Sequence, residues 1–228
     1  MNSAILPRVA PFALFMACVG LEEGGRFLIE RGLLPLDQQD LQYLYPLKIA
    51  AVALLLLRFA RHYTELEPKQ LANLRHLALS VGCGVMVFLL WIPLDIRLNP
   101  LGITGGFNPL LFQEGTERIL MIAARLAGAV LVVPLMEELF WRSFFIRYLI
   151  AQDFSQVEIG RTTRSAFLIT ALLFGLEHNF FIAGVMAGCA YNFLLHATRS
   201  IIHCVLAHAV TNLLLGLYVL TTQQWQFW

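Results

Sequence analysis

Residues 119–147 read ILMIAARLAGAVLVVPLMEELFWRSFFIR, and this run decides the fold. From Ile119 to Met136 its only charge is Arg125. A helix of about 20 mainly apolar residues crosses the hydrocarbon core of a bilayer, and this run exceeds that length. Working outward, comparable runs lie at 9–24, 41–58, 77–94, 165–181, 182–198 and 201–222. Pro11, Pro46 and Lys48 interrupt the first two, and a tight turn near Asn179 to Gly184 is expected between the abutting runs 165–181 and 182–198. Composition agrees: 58% of the 228 residues are apolar and 14% charged, against roughly 45–50% and 25% in an average soluble domain. That charge is too sparse to coat a soluble globule, and the apolar content excludes a disordered chain. A net charge of +1 gives no electrostatic footprint for a nucleic-acid partner. The expected fold is all-α, a polytopic membrane bundle of about seven transmembrane helices. Residues 1–118 would supply the N-terminal helices and a connecting loop, 119–222 a helical core, and 223–228 a short tail.

Cys18, Cys83, Cys189 and Cys204 all sit in apolar runs without a CxxC pair, which reads as reduced core cysteine rather than a disulfide framework. Arg8 and the apolar stretch after it imitate a signal peptide, but Glu22-Glu23-Gly24-Gly25-Arg26 follows without a small-x-small site ahead of it. The stretch is therefore expected to be a retained first helix, with those two acids solvated at its end. Asp95 to Glu117 is rich in Gly, Pro and Asn and reads as an irregular connection. With seven spans, Arg8, Arg58, Arg61, Lys69, Arg75, Arg142, Arg147, Arg161, Arg164 and Arg199 share one side, and Arg26, Arg31, Arg97 and Arg118 the other. Ten against four predicts that the N-terminus is cytoplasmic.

Three segments break the rules for lipid-facing sequence together. Ionisable groups at bilayer depth are costly unless paired or hydrated. In 134–142, Glu138 and Arg142 stand i,i+4 and can pair on one helical face. Glu137 points about 100° away and has no partner at helical spacing. It is thus the carboxylate left free to act as a general base. Phe174-Gly175-Leu176-Glu177-His178 closes another apolar run, and His208-Ala209-Val210-Thr211-Asn212 places a histidine and an amide on one face of the last. Singly, His178 reads as a packing or interface histidine and Asn212 as interhelical glue. Counted at 1.5 Å per residue from the cytoplasmic ends, Glu137, His178, His208 and Asn212 lie about 20, 20, 12 and 18 Å deep. The shared depth predicts one polar cavity in the cytoplasmic half. His62, His76, His196 and His203 are expected at loops, helix ends or turns.

A carboxylate base, two histidines and an amide in lipid suit hydrolysis. Glu137 would take a proton from water, His178 would orient that water, and His208 and Asn212 would donate to the developing oxyanion. No GxSxG nucleophile motif is present. The same glutamate and histidines could instead ligate zinc, although HExxH is absent. A non-catalytic scaffold, immunity or sorting-partner protein could carry the same residues without turnover, and a proton-coupled transporter would call for an inverted repeat that the first half lacks.

In order and spacing, Glu137-Glu138-x-x-x-Arg142, Phe174-x-x-x-His178 and His208-x-x-x-Asn212 resemble the three signatures of the CAAX-protease and bacteriocin-processing family, the intramembrane glutamic endopeptidases. The resemblance covers 119–222 and implies a membrane endopeptidase in which Glu137 activates water. His178, His208 and Asn212 would complete the site, Glu138, Arg142 and Phe174 would support it, and no cofactor would be needed. The 134–144 stretch looks like a bacterial subgroup that accompanies exosortase protein-sorting machinery. This implies an inner-membrane protein acting on membrane protein or peptide substrates within the lipid bilayer.

Overall fold

A computed structural model describes residues 4–94 and 106–228. Seven main helices form one bundle: α1 (Ile5–Glu30), α2 (Gln39–Arg58), α3 (Leu74–Leu94), α4 (Thr116–Tyr148), α5 (Arg164–Leu176), α6 (Phe181–Thr198) and α7 (Ile201–Thr222). Six are long and apolar enough to cross a membrane, and no strand occurs among the described residues. Exposed positions such as Leu54, Leu89, Leu131, Leu168 and Phe193 are large and apolar, which is the surface of an integral membrane protein rather than a soluble one. The irregular connection expected from Asp95 to Glu117 lies partly outside the described residues.

The span expected at 165–181 is shorter than its hydropathy suggests. Thr163 caps α5 by accepting a hydrogen bond from the Ala166 N–H at 3.2 Å, and the helix stops at Leu176. At 1.5 Å per residue that length covers only about 20 Å. The chain turns through Glu177–Phe180 and re-enters as α6, so the break comes slightly earlier than the expected Asn179–Gly184. Gly184 and Gly188, four positions apart in α6, are spent inside this hairpin. A Cβ on Gly184 would meet Gly175 Cα at 2.9 Å, and one on Gly188 would meet Ala171 Cα at 3.0 Å. Helices α5 and α6 therefore pack backbone against backbone, as small residues permit in lipid.

Two prolines inside helices each leave a carbonyl without its usual donor, and each is answered from elsewhere in the bundle. Pro11 has no N–H for the carbonyl of Pro7, four residues earlier; the Tyr63 hydroxyl donates to it at 2.8 Å. Burial there pushes the Tyr63 phenol up to about 12. In α4, Gly128–Val132 adopts π-helical turns just before Pro134. In that i→i+5 register the Ala129 carbonyl looks to residue 134, again a proline. The Asn212 amide donates to Ala129 O at 2.8 Å instead.

The two ends of the bundle are built differently. At the end holding the N-terminus, Arg8 donates to both Glu65 oxygens (2.8 and 2.6 Å) and to Ser143 Oγ (2.9 Å), and Ser143 in turn binds Glu65. His203 lies at the start of α7, a helix end as expected, and is buried there, linking Ser80 Oγ (2.9 Å) to the Gln70 carbonyl (3.1 Å). At the opposite end the connection and the tail interlock. Phe107 N donates to Trp228 O at 3.2 Å, and Phe180 and Phe227 stack with centroids 5.0 Å apart. The four cysteines are free, with only Cys204 fully buried.

Candidate active site

Helix α4 supplies the acids. A second π-helical segment, Leu139–Phe145, follows Glu138 directly, a distortion that often accompanies functional sites. Glu138 and Arg142 form the ion pair expected from their spacing, with Nη1 to Oε1 at 3.1 Å and neither side chain exposed at all. Arg142 also donates from Nε to Asn192 Oδ1 at 3.2 Å and from Nη2 to the Gly188 carbonyl at 3.4 Å. Its guanidinium lies 4.3 Å over the Phe174 ring. A charge with so many fixed partners is structural, since a buried pair is tolerated only when its remaining hydrogen-bonding capacity is met.

Helix α7 brings His208 onto this pair. His208 Nδ1 stands 3.0 Å from Glu138 Oε1, the same oxygen that accepts from Arg142. A hydrogen bond there orients the ring and leaves Nε2 toward Glu137, 3.9 Å from Oε2. Tyr191 stacks on His208 at 5.0 Å, and its hydroxyl donates to Thr211 Oγ1 at 2.8 Å. Glu137 is itself buried, and its Oε2 has no hydrogen-bond partner among the described residues.

The early stop of α5 delivers the third element. His178 Nδ1 lies 2.7 Å from the Phe174 carbonyl, so with Nδ1–H donating there Nε2 is left as an acceptor. Trp91 closes on the His178 ring edge to face at 5.5 Å. Glu177, singled out by neither spacing nor periodicity, accepts from Trp141 Nε1 at 2.9 Å. Glu137, Glu177 and His178 each offer a ligand atom, all within 4.8 Å of one another. The zinc set expected from sequence was Glu137, His178 and His208. The structure instead groups the first two with Glu177 and turns His208 Nδ1 to Glu138. A carboxylate, carboxylate, imidazole set suits a divalent cation in donor type, and the orphaned Glu137 oxygen suits an ion or a water equally.

Glu137, Phe174, His178, His208 and Asn212 line one cavity of about 290 Å³, while Glu138 and Arg142 lie behind it. The cavity continues away from the N-terminal end. Glu22, Lys48, Arg125 and Trp228, all toward the opposite end, share its walls. Glu22 was expected to be solvated with Glu23, but it pairs with Lys48 of α2 at 2.8 Å, with side chains only 16% and 6% exposed. That partner is 26 positions away, beyond any local spacing rule. The site residues therefore floor a cavity whose walls extend away from the end predicted to be cytoplasmic.

Residues 119–214, which contain every one of these motif residues, match the family model described as Type II CAAX prenyl endopeptidase Rce1-like. No curated protein matches the chain, and no solved structure does.

Proposed function

We propose that this chain, whose residues 119–214 match the Rce1-like CAAX prenyl endopeptidase model, is a membrane protease of the CAAX-protease and bacteriocin-processing family that hydrolyses a peptide bond with a water activated by Glu137. One observation carries the reading: Glu137, with a buried carboxylate oxygen that has no hydrogen-bond partner among the described residues, lines a cavity that His178 and His208 also line. Glu137 accepts the proton of the attacking water, with His178 Nε2 accepting the other hydrogen and aiming the oxygen. In its protonated form His208 gives Nδ1–H to Glu138 and Nε2–H to the oxyanion. Asn212 spends one amide hydrogen on Ala129 O, and its second is available to the same oxyanion. Glu137 then passes its proton to the departing amine.

Substrates are membrane-associated proteins or peptides, and the lipid bilayer is the reaction medium. A bacterial inner-membrane setting beside exosortase-type sorting machinery, with the N-terminus cytoplasmic, extends the same reading. The Glu137, Glu177 and His178 cluster favours a second version, in which those residues would hold zinc and the ion would supply Lewis-acid chemistry at the scissile carbonyl.

The test uses purified full-length protein in bilayer nanodiscs and a library of membrane peptides read by mass spectrometry. Cleavage should vanish with Glu137→Gln and survive chelator. Cleavage that persists in Glu137→Gln sinks the glutamate mechanism. Activity lost to chelator and restored by zinc selects the metal version. A wild-type protein that cuts nothing, yet whose quadruple site variant has no phenotype in cells, selects the scaffold role.

A further inference from the structure

Most of the charge around the cavity's outer wall is neutralised within the protein. Glu22 pairs with Lys48 at 2.8 Å and Glu23 with Arg26 at 3.5 Å. Arg125, on α4, shares that wall but forms no ion pair among the described residues. Its guanidinium is held against the Tyr45 ring at 4.6 Å and the Phe107 ring at 5.9 Å. Its Nε is buried without a hydrogen-bond acceptor among the described residues. Aromatic stacking fixes the position of a guanidinium while leaving its charge uncompensated. Buried donors rarely go without a partner, so a guanidinium that lines a cavity with an unmet N–H calls for an acceptor that arrives with a ligand.

We infer that Arg125 anchors a carboxylate of the peptide substrate, a reading that rests on the protease function proposed above. A planar guanidinium matches a carboxylate with two parallel hydrogen bonds. A singly charged carboxylate also matches the one uncompensated guanidinium, whereas a doubly charged phosphate would bring a second negative charge to a wall whose other charges are already paired. Position adds a measure of length. Arg125 precedes Glu137 by twelve positions in α4, about 18 Å along the helix. An extended peptide advances 3.3–3.6 Å per residue, so about five residues separate the anchored carboxylate from the bond that is cut.

The experiment compares three labelled apolar decapeptides of one sequence: amidated at the C-terminus, free at the C-terminus, and amidated with a glutamate placed internally. Binding is measured on the full chain carrying Glu137→Gln in nanodiscs, so that nothing is cut. A charged hydrogen bond should tighten Kd by about tenfold or more over the fully amidated peptide. Adding Arg125→Gln should erase that preference, while Arg125→Lys keeps part of it. Which anionic peptide gains tells a chain terminus from an acidic side chain. With wild-type protein, the cut should fall about five residues from the carboxylate and move with it. Equal binding of acid and amide, a preference that survives Arg125→Gln, or no saturable binding of any peptide overturns the inference. The acid-to-amide comparison needs no change at Arg125, so a poorly folding variant does not blunt it. Preferential binding without any cutting by wild-type sinks the protease reading and spares the anchor. Cutting without preference sinks the anchor alone.

Discussion

Replacing Glu138 and Arg142 singly and together separates the structural role of this ion pair from its role at the site. Both side chains are fully buried, and the Glu138 oxygen accepts from Arg142 and His208 at once. Glu138→Leu strands the arginine, and Arg142→Met strands the glutamate; removing one member of a buried pair costs about 3–5 kcal/mol. The double variant leaves no uncompensated charge, so its loss should fall short of the summed losses by at least about 2 kcal/mol, within the range seen for contacting pairs. It should not return to wild-type stability, because Asn192 and the Gly188 carbonyl lose the donors that Arg142 gives them. Reversible unfolding in detergent or by steric trapping in bicelles measures all four corners of the cycle. Activity follows a different pattern. Even a well-folded double variant should stay inactive, since His208 Nδ1 has lost its acceptor. Additivity within about 0.5 kcal/mol would show that the pair is not coupled. Full activity in the double variant would show that Glu138 does not position His208.

Two further outcomes follow from single contacts. Asn212→Leu removes the donor to Ala129 O beside Pro134; it should destabilise the protein by about 1–3 kcal/mol and lower kcat more than KM in a steady-state assay on a cleaved peptide. Gly84→Ala puts a methyl group 2.5 Å from the Ala207 carbonyl where α3 meets α7, and such overpacking should cost about 1–3 kcal/mol by the same unfolding measurement.

The acids, histidines and amide were legible because each breaks an apolar run, and in lipid such a break has few innocent explanations. The Glu138–Arg142 pair was legible because i,i+4 spacing is local geometry. Glu177 was not: it stands in a turn, where no periodicity says which way a side chain faces. The Glu22–Lys48 pair was hidden for a related reason, as an acid at one helix's end looks solvated until another helix is known to lie beside it. Helix α5 was overdrawn because hydropathy cannot tell the end of a helix from an apolar turn that follows it. The His203 link to Ser80 and Gln70 depends on three elements meeting and leaves no trace in any one of them.

Helix α5 ends about 20 Å from its start, whereas the hydrocarbon core is about 30 Å thick. Its outward face is nonetheless greasy, with Leu168, Ile169 and Leu172 all exposed. Lipid tails against that face meet a column too short for them, and hydrophobic mismatch of this kind is relieved by local thinning of the bilayer. Relief of that kind would thin the membrane beside α5 toward the turn that carries Glu177 and His178, bringing polar headgroups nearer those two side chains.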